Sequence, residues 1–189
     1  MIPAICQLAM NRKSELATGD DLDCYRTFED TRQRLMAWHN DSSSNIHSPQ
    51  PSLQDDQNPD TFTEAGDEIA GMLMQRALLL FLQEAYYQQA SYVQATNQPL
   101  IDESIALLRA IQHTSWATNS FWPSIVVGSY GSTREQRDAV VTALLPGTFP
   151  IVKRGLQVLR WVWESPDGVC GFDGLARVIE ANRTDYCIG

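Results

Sequence analysis

Between Asn119 and Trp163 the sequence carries a dense series of helix starts and stops, NSFWPSIVVGSYGSTREQRDAVVTALLPGTFPIVKRGLQVLRWVW. Three of the five Trp and three of the nine Pro fall in this stretch, so it is expected to form the centre of the core. Phe121-Trp122-Pro123 opens an apolar run to Val127, which Gly128 and Gly131 are expected to end in a tight turn. Pro123 either sits in the first turn of a short helix to about Val127, where the N–H has no intrahelical partner to lose, or kinks a longer helix that begins near Ser115. Thr133-Arg134-Glu135-Gln136 then reads as a capping box, in which the Thr and Gln side chains satisfy each other's orphan backbone N–H groups. A helix is predicted from Arg134 to Leu145, stopped at Pro146-Gly147. Phe149, Val152, Leu156, Leu159 and Trp163 make the next stripe, with Val162 beside it, until Ser165-Pro166-Asp167-Gly168 supplies a turn.

The remainder follows the same period. Ile2, Ile5, Cys6 and Ala9 predict a short helix to about Lys13. Asp20 or Asp21 can cap a second, whose stripe is Leu22, Tyr25, Phe28, Leu35 and Trp38 and whose polar face offers an Arg26–Asp30 pair. From Ala65 to Gln89 apolar residues extend so far round that the helix is expected to be buried on most sides and central. Another follows Pro99, with Asp102 and Glu103 placed in its first turn, and a last one covers Phe172 to Ala181. No segment shows sustained two-residue alternation, so the fold is read as all-α, about seven helices in an irregular bundle.

Residues 41–64 break the pattern with three Pro, serine runs and few large apolar residues. From Asp41 to Glu68 there are seven acids and no Lys or Arg, which reads as a flexible acidic loop with a docking or activation surface as its functional alternative. The domain is therefore divided into N-terminal helices over 1–40, this loop, and a helical core over 65–185.

Several functions are disfavoured. A net charge of −9 argues against direct grip on a phosphate backbone, which depends on Lys and Arg. Cys6, Cys24, Cys170 and Cys187 contain no CxxC pair, so neither a zinc knuckle nor a redox motif is read, and reduced, mostly buried thiols are expected. His39, His47 and His113 are too far apart for a metal motif, and no metal or cofactor is predicted. There is no apolar run long enough to span a membrane and no good signal peptide, which points to a soluble protein in a reducing compartment. Gly128-Ser129-Tyr130-Gly131-Ser132 is neither a nucleophile elbow nor a phosphate loop.

The candidate contact residues are aromatic and basic. Trp122, Trp161 and Trp163 either line an effector pocket or pack the core, and Trp161 lies off the stripe of its helix. Lys153 and Arg154, with Arg160, Arg134 and Arg137, either face an acidic partner or are simply solvated.

The order of features resembles a known family. Leu35-Met36-Ala37-Trp38-His39 is followed by an acidic insert, a long Leu/Ala/Tyr-rich helix over Met72 to Tyr87, and Ile105-Ala106-Leu107-Leu108-Arg109-Ala110-Ile111. Phe121-Trp122-Pro123 with its small-residue turn comes next, and Leu156-Gln157-Val158-Leu159-Arg160-Trp161-Val162-Trp163 closes the series. This is similar to the C-terminal part of the fungal-specific transcription factor domain, the helical regulatory region of fungal zinc-cluster factors, over about Cys24 to Asp167. The six-cysteine DNA-binding cluster of such factors has no counterpart among four scattered cysteines. The resemblance implies transcription regulation in the nucleus, with no catalytic site. The implied partners are other segments of a regulator or co-regulators, and a small-molecule effector is a further partner. One alternative is a biosynthetic protein or enzyme whose helical shell holds an apolar molecule, with Trp116, Trp122 and Tyr130 as wall residues. Another is the distal piece of a longer factor.

Overall fold

A computed structural model describes residues 1–15, 22–44, 60–112, 120–144 and 149–182. Among these residues it contains nine α-helices and no strand, so the all-α class holds and the expected count of about seven falls short. The long helix α3 (Asp60–Tyr87) is the septum of the molecule. Its Leu73, Ala77 and Leu80 enter the larger of two cores, while Leu78, Leu79, Leu82 and Ala85 enter the smaller. Spacings of three and four on both faces produce this division, and they leave the helix buried on most sides, as its composition predicts.

The smaller core is closed by α1 (Ile2–Glu15) and α2 (Leu22–Ser44). Its buried residues from these helices are Ile5, Leu8, Cys24, Phe28 and Leu35. Three of the five residues of the predicted stripe on α2 are thereby corrected: Phe28 and Leu35 are buried, whereas Leu22, Tyr25 and Trp38 are exposed. Cys24, Phe28, Thr31 and Leu35 are the residues that recur at alternating steps of four and three, so the true stripe is rotated from the expected one. On α1 the inward pair is Ile5 and Leu8, with Ile2 and Cys6 exposed. Arg26 sits 3.6 Å from Asp23, and Asp30 pairs with Arg34 at 3.8 Å in place of the expected Arg26. Of the segment expected as a loop, residues 41–44 belong to α2 and residues 60–64 to α3. Residues 45–59 lie outside the described residues.

At the other end of α3, Gln88 adopts a left-handed conformation with φ 57° and donates its backbone N–H to the Glu84 carbonyl. A residue in this conformation ends a helix by satisfying one of its last carbonyls. The chain then starts the short α4 (Ala90–Thr96), which hydrophobic periodicity does not separate from its neighbours. The next helix, α5 (Gln98–Ile111), buries Ile101, Ser104, Ile105, Leu108 and Ile111 as its spacing predicts. It starts earlier than expected, so Asp102 and Glu103 fall beyond its first turn; Asp102 accepts a hydrogen bond from Gln136, and Glu103 lies 3.4 Å from Arg76.

The larger core is completed by α6 (Phe121–Ser129), α7 (Arg134–Leu144), α8 (Pro150–Glu164) and α9 (Gly171–Ala181). The capping box is formed: the Gln136 N–H donates to Thr133 Oγ1 at 3.2 Å, and the Gln136 side-chain oxygen accepts the N–H of Thr133 at 3.1 Å and of Ser132 at 2.9 Å. Gly128 proves to be a packing glycine inside α6, since a Cβ there would lie 2.9 Å from Val140 and 3.0 Å from Leu159. On α8 Val152, Leu156, Leu159 and Val162 are buried, whereas Phe149, the N-cap residue, is 61% exposed.

Candidate functional site

Three helices leave a cleft between them. From α6 come Phe121, Trp122, Ile125 and Val126; α8 contributes Ile151, Gly155 and Val158; α9 contributes Phe172, Leu175, Ala176 and Ile179. None of these residues is ionisable, and the space measures about 230 Å³. Gly155 brings α8 close to α6: a Cβ there would meet Ile125 Cδ1 at 2.8 Å and Phe121 Cε2 at 2.9 Å. Trp122 and Phe172 face each other across the wall at 6.4 Å between ring centroids, and Phe172 stacks further on Phe81 of α3 at 4.0 Å.

Phe172 also connects the cleft to a buried carboxylate. Glu84, near the end of α3, accepts the backbone N–H of Phe172 at 2.9 Å and of Asp173 at 2.7 Å, together with the Tyr130 hydroxyl. These two N–H groups belong to the first turn of α9, whose N-terminus carries partial positive charge, so Glu84 caps α9 from a different helix. The cap's own residue, Cys170, makes no side-chain cap bond. Gly171 has φ 65°, and a Cβ on it would fall 2.2 Å from Glu84 Oε2. Only glycine both adopts that conformation without strain and leaves room for the carboxylate.

Burial sets the electrostatics here. It pushes the Glu84 carboxyl above the ordinary carboxylate range, against the downward pull of the Tyr130 hydroxyl and the two backbone donors. Burial, then the Glu84 charge, holds the Tyr130 hydroxyl well above the usual phenol value, so it stays a donor. The Cys170 thiol is pushed up to about 11 by burial first and the Glu84 and Asp173 charges next. A thiol so placed remains protonated and a poor nucleophile at neutral pH.

The sequence-predicted residues do not converge. Trp122 is half-buried in the apolar cleft, whereas Tyr130 is fully buried in the core and is absent from the cleft lining. Trp116 lies outside the described residues, as do His47, His113 and Cys187. Trp161 is half-buried in a separate cleft of about 360 Å³ with Glu164, Asp167, Arg177 and Asn182. Lys153, Arg154 and Arg160 are exposed on α8. Arg137 is not part of that surface: it donates to the Gly131 carbonyl at 2.9 Å and lies over the Trp163 ring at 5.7 Å, while the Trp163 indole N–H donates to the Gly128 carbonyl at 2.8 Å. Arg134 pairs with Asp138 at 3.6 Å. Sequence reasoning does not find Glu84 or Gly171, although Glu84 occupies the i+4 position after Leu80 on an apolar stripe, a place where an acid signals a buried partner.

Among the described residues, no group of His, Cys, Asp and Glu is arranged to hold a metal ion, and no helix is long and apolar enough to cross a membrane. Of the described cysteines, Cys24 and Cys170 are buried and Cys6 is exposed. Comparison with curated proteins and with solved structures finds no match. A family model described as the fungal-specific transcription factor domain matches residues 1–188, a longer span than the residue motifs alone carry. Every helix among the described residues falls within that match, and the chain belongs to the fungal-specific transcription factor domain family.

Proposed function

We propose that this chain is the regulatory, interaction-making module of a transcription regulator, acting in the nucleus by binding other protein segments of the regulator or its co-regulators. The observation that carries the reading is the family match over residues 1–188, which spans all nine helices found among the described residues. The net charge of −9 supports protein contact over contact with DNA, since these residues have no surplus of cations to neutralise phosphates. Lys153 and Arg154, exposed on α8, are the contact residues proposed for an acidic partner segment. Catalysis is not part of the proposal. Glu84 is occupied in capping α9, and among the described residues the apolar cleft presents no ionisable side chain to a substrate.

Fusion of the 189-residue chain to an unrelated DNA-binding domain provides the test, with transcript from a promoter carrying that domain's sites as the readout. The fusion is expected to change transcript several-fold relative to the DNA-binding domain alone, and exchanging Lys153 and Arg154 for Glu is expected to reduce the change. An inert fusion present at normal abundance would overturn the proposal.

A further inference from the structure

We infer that the cleft walled by α6, α8 and α9 is a binding site for a compact, uncharged, mainly hydrocarbon molecule of one or two rings. This goes beyond the regulatory reading and does not depend on it, since a regulatory module can act through protein contacts with the cleft empty.

Size is the first argument. A cavity of about 150 Å³ lined by Leu, Ile and Phe stays dry and takes benzene. At about 230 Å³ the present cleft has room for a second ring, yet it is smaller than the space drug-sized ligands occupy. Lining chemistry is the second. Trp122, Phe121 and Phe172 offer ring faces, and the rest of the wall is aliphatic or glycine. A charged ligand would lose its hydration there and find no side chain among the described lining residues to compensate it. The third is shape: a partner helix needs anchors spread along a long groove, whereas this space is only about 230 Å³, with α8 and α6 in close approach at Gly155. Phe172 makes occupancy consequential, because its ring forms the wall while its N–H is held by Glu84. A ring stacked on Phe172 therefore favours the docked position of α9.

Titration of the full chain with indole, an uncharged two-ring probe, tests the inference by methyl NMR and thermal melting. Saturable shifts concentrated at the methyl groups of Ile125, Ile151, Leu175 and Ile179 are expected, together with a rise in Tm, as for any ligand selective for the folded state. Indole-3-carboxylate is expected to bind at least about tenfold more weakly, the equivalent of one power of ten in Kd. Ala176→Phe places a ring in the pocket from an exposed position, and is expected to retain the fold while losing indole binding. Shifts scattered over the surface, no saturation, equal affinity for the carboxylate, or unchanged binding by Ala176→Phe would each overturn the assignment. Should Ala176→Phe fail to fold, the location of the wild-type shifts decides the question.

Discussion

Tyr130, at the end of α6, donates its buried hydroxyl to the carboxylate of Glu84 on α3, and the same carboxylate holds the first turn of α9. One side chain thus joins three helices of the larger core, and the wall of the apolar cleft hangs from it through Phe172. The Gln94 side chain adds a bond to the Tyr130 carbonyl at 2.8 Å, which ties α4 to the same point.

Removing the carboxylate is expected to cost far more than a surface change. Glu84→Ala takes the acceptor from the part-buried Phe172 and Asp173 N–H groups and leaves the buried Tyr130 hydroxyl only the Leu80 carbonyl at 3.5 Å, and a buried group left unsatisfied costs about 1–3 kcal/mol. A loss of at least about 3 kcal/mol in urea unfolding is predicted, given that water can enter and recover part of the penalty.

The pH dependence has a definite sign. Because burial raises the Glu84 carboxyl in the folded state, the folded chain binds that proton more tightly than the unfolded chain does. Its stabilising contribution is full below the unfolded glutamate value and is lost as pH rises through the higher folded value. The stability difference between wild type and Glu84→Gln is therefore expected to fall as pH rises out of the acid range and then level off. Denaturant titrations of both proteins across that range check this, and a difference that grows with pH would contradict it.

Two glycines with positive φ separate strain from collision. Gly168 has φ 61° and open space where a Cβ would stand, while Gly171 has φ 65° with Glu84 in the way. Gly168→Ala is expected to cost about 1–2 kcal/mol, the usual left-handed penalty. Gly171→Ala adds overpacking of about 1–3 kcal/mol to that penalty, and paired thermal melts should rank the two accordingly.

At the start of α7, Thr133→Ala removes one cap bond and is expected to cost about 1 kcal/mol. Gln136→Ala is expected to cost more, because its side chain also donates to Asp102 of α5 at 2.8 Å. Equal losses in urea unfolding would show that the link to α5 contributes nothing.

The capping box at Thr133 to Gln136 and the buried face of α5 are legible in the sequence because their signals act within one or two turns, whereas the start of α5, the separate α4 and the ends of α2 and α3 next to the expected loop are not. The stripe on α2 is legible only in part, because Tyr25 and Trp38 are apolar by type yet exposed, whereas Cys24 and Thr31 are small residues that face inward. Phe149 misleads in the same way, as an aromatic at an N-cap. The Glu84–Gly171 contact spans widely separated parts of the chain, and nothing near either residue announces the other. Tyr130 has the chemical type of a wall residue but occupies the core, since its environment is set by α3 and α9 and not by the glycines beside it. The cleft is half legible: Trp122 stands out by type, while Phe172, Ala176 and Ile179 join it only through the packing of α9.

The proposed function places regulatory action in the helical unit, and not in the stretch 45–59, whose acids are Asp55 and Asp56. Transcript driven by the DNA-binding-domain fusion measures this directly when wild type is compared with Gly171→Ala and with Asp55→Asn/Asp56→Asn, at matched protein abundance. The effect is expected to be lost in Gly171→Ala and retained when the acids are neutralised. Persistence in Gly171→Ala with loss on neutralising the acids would contradict that assignment.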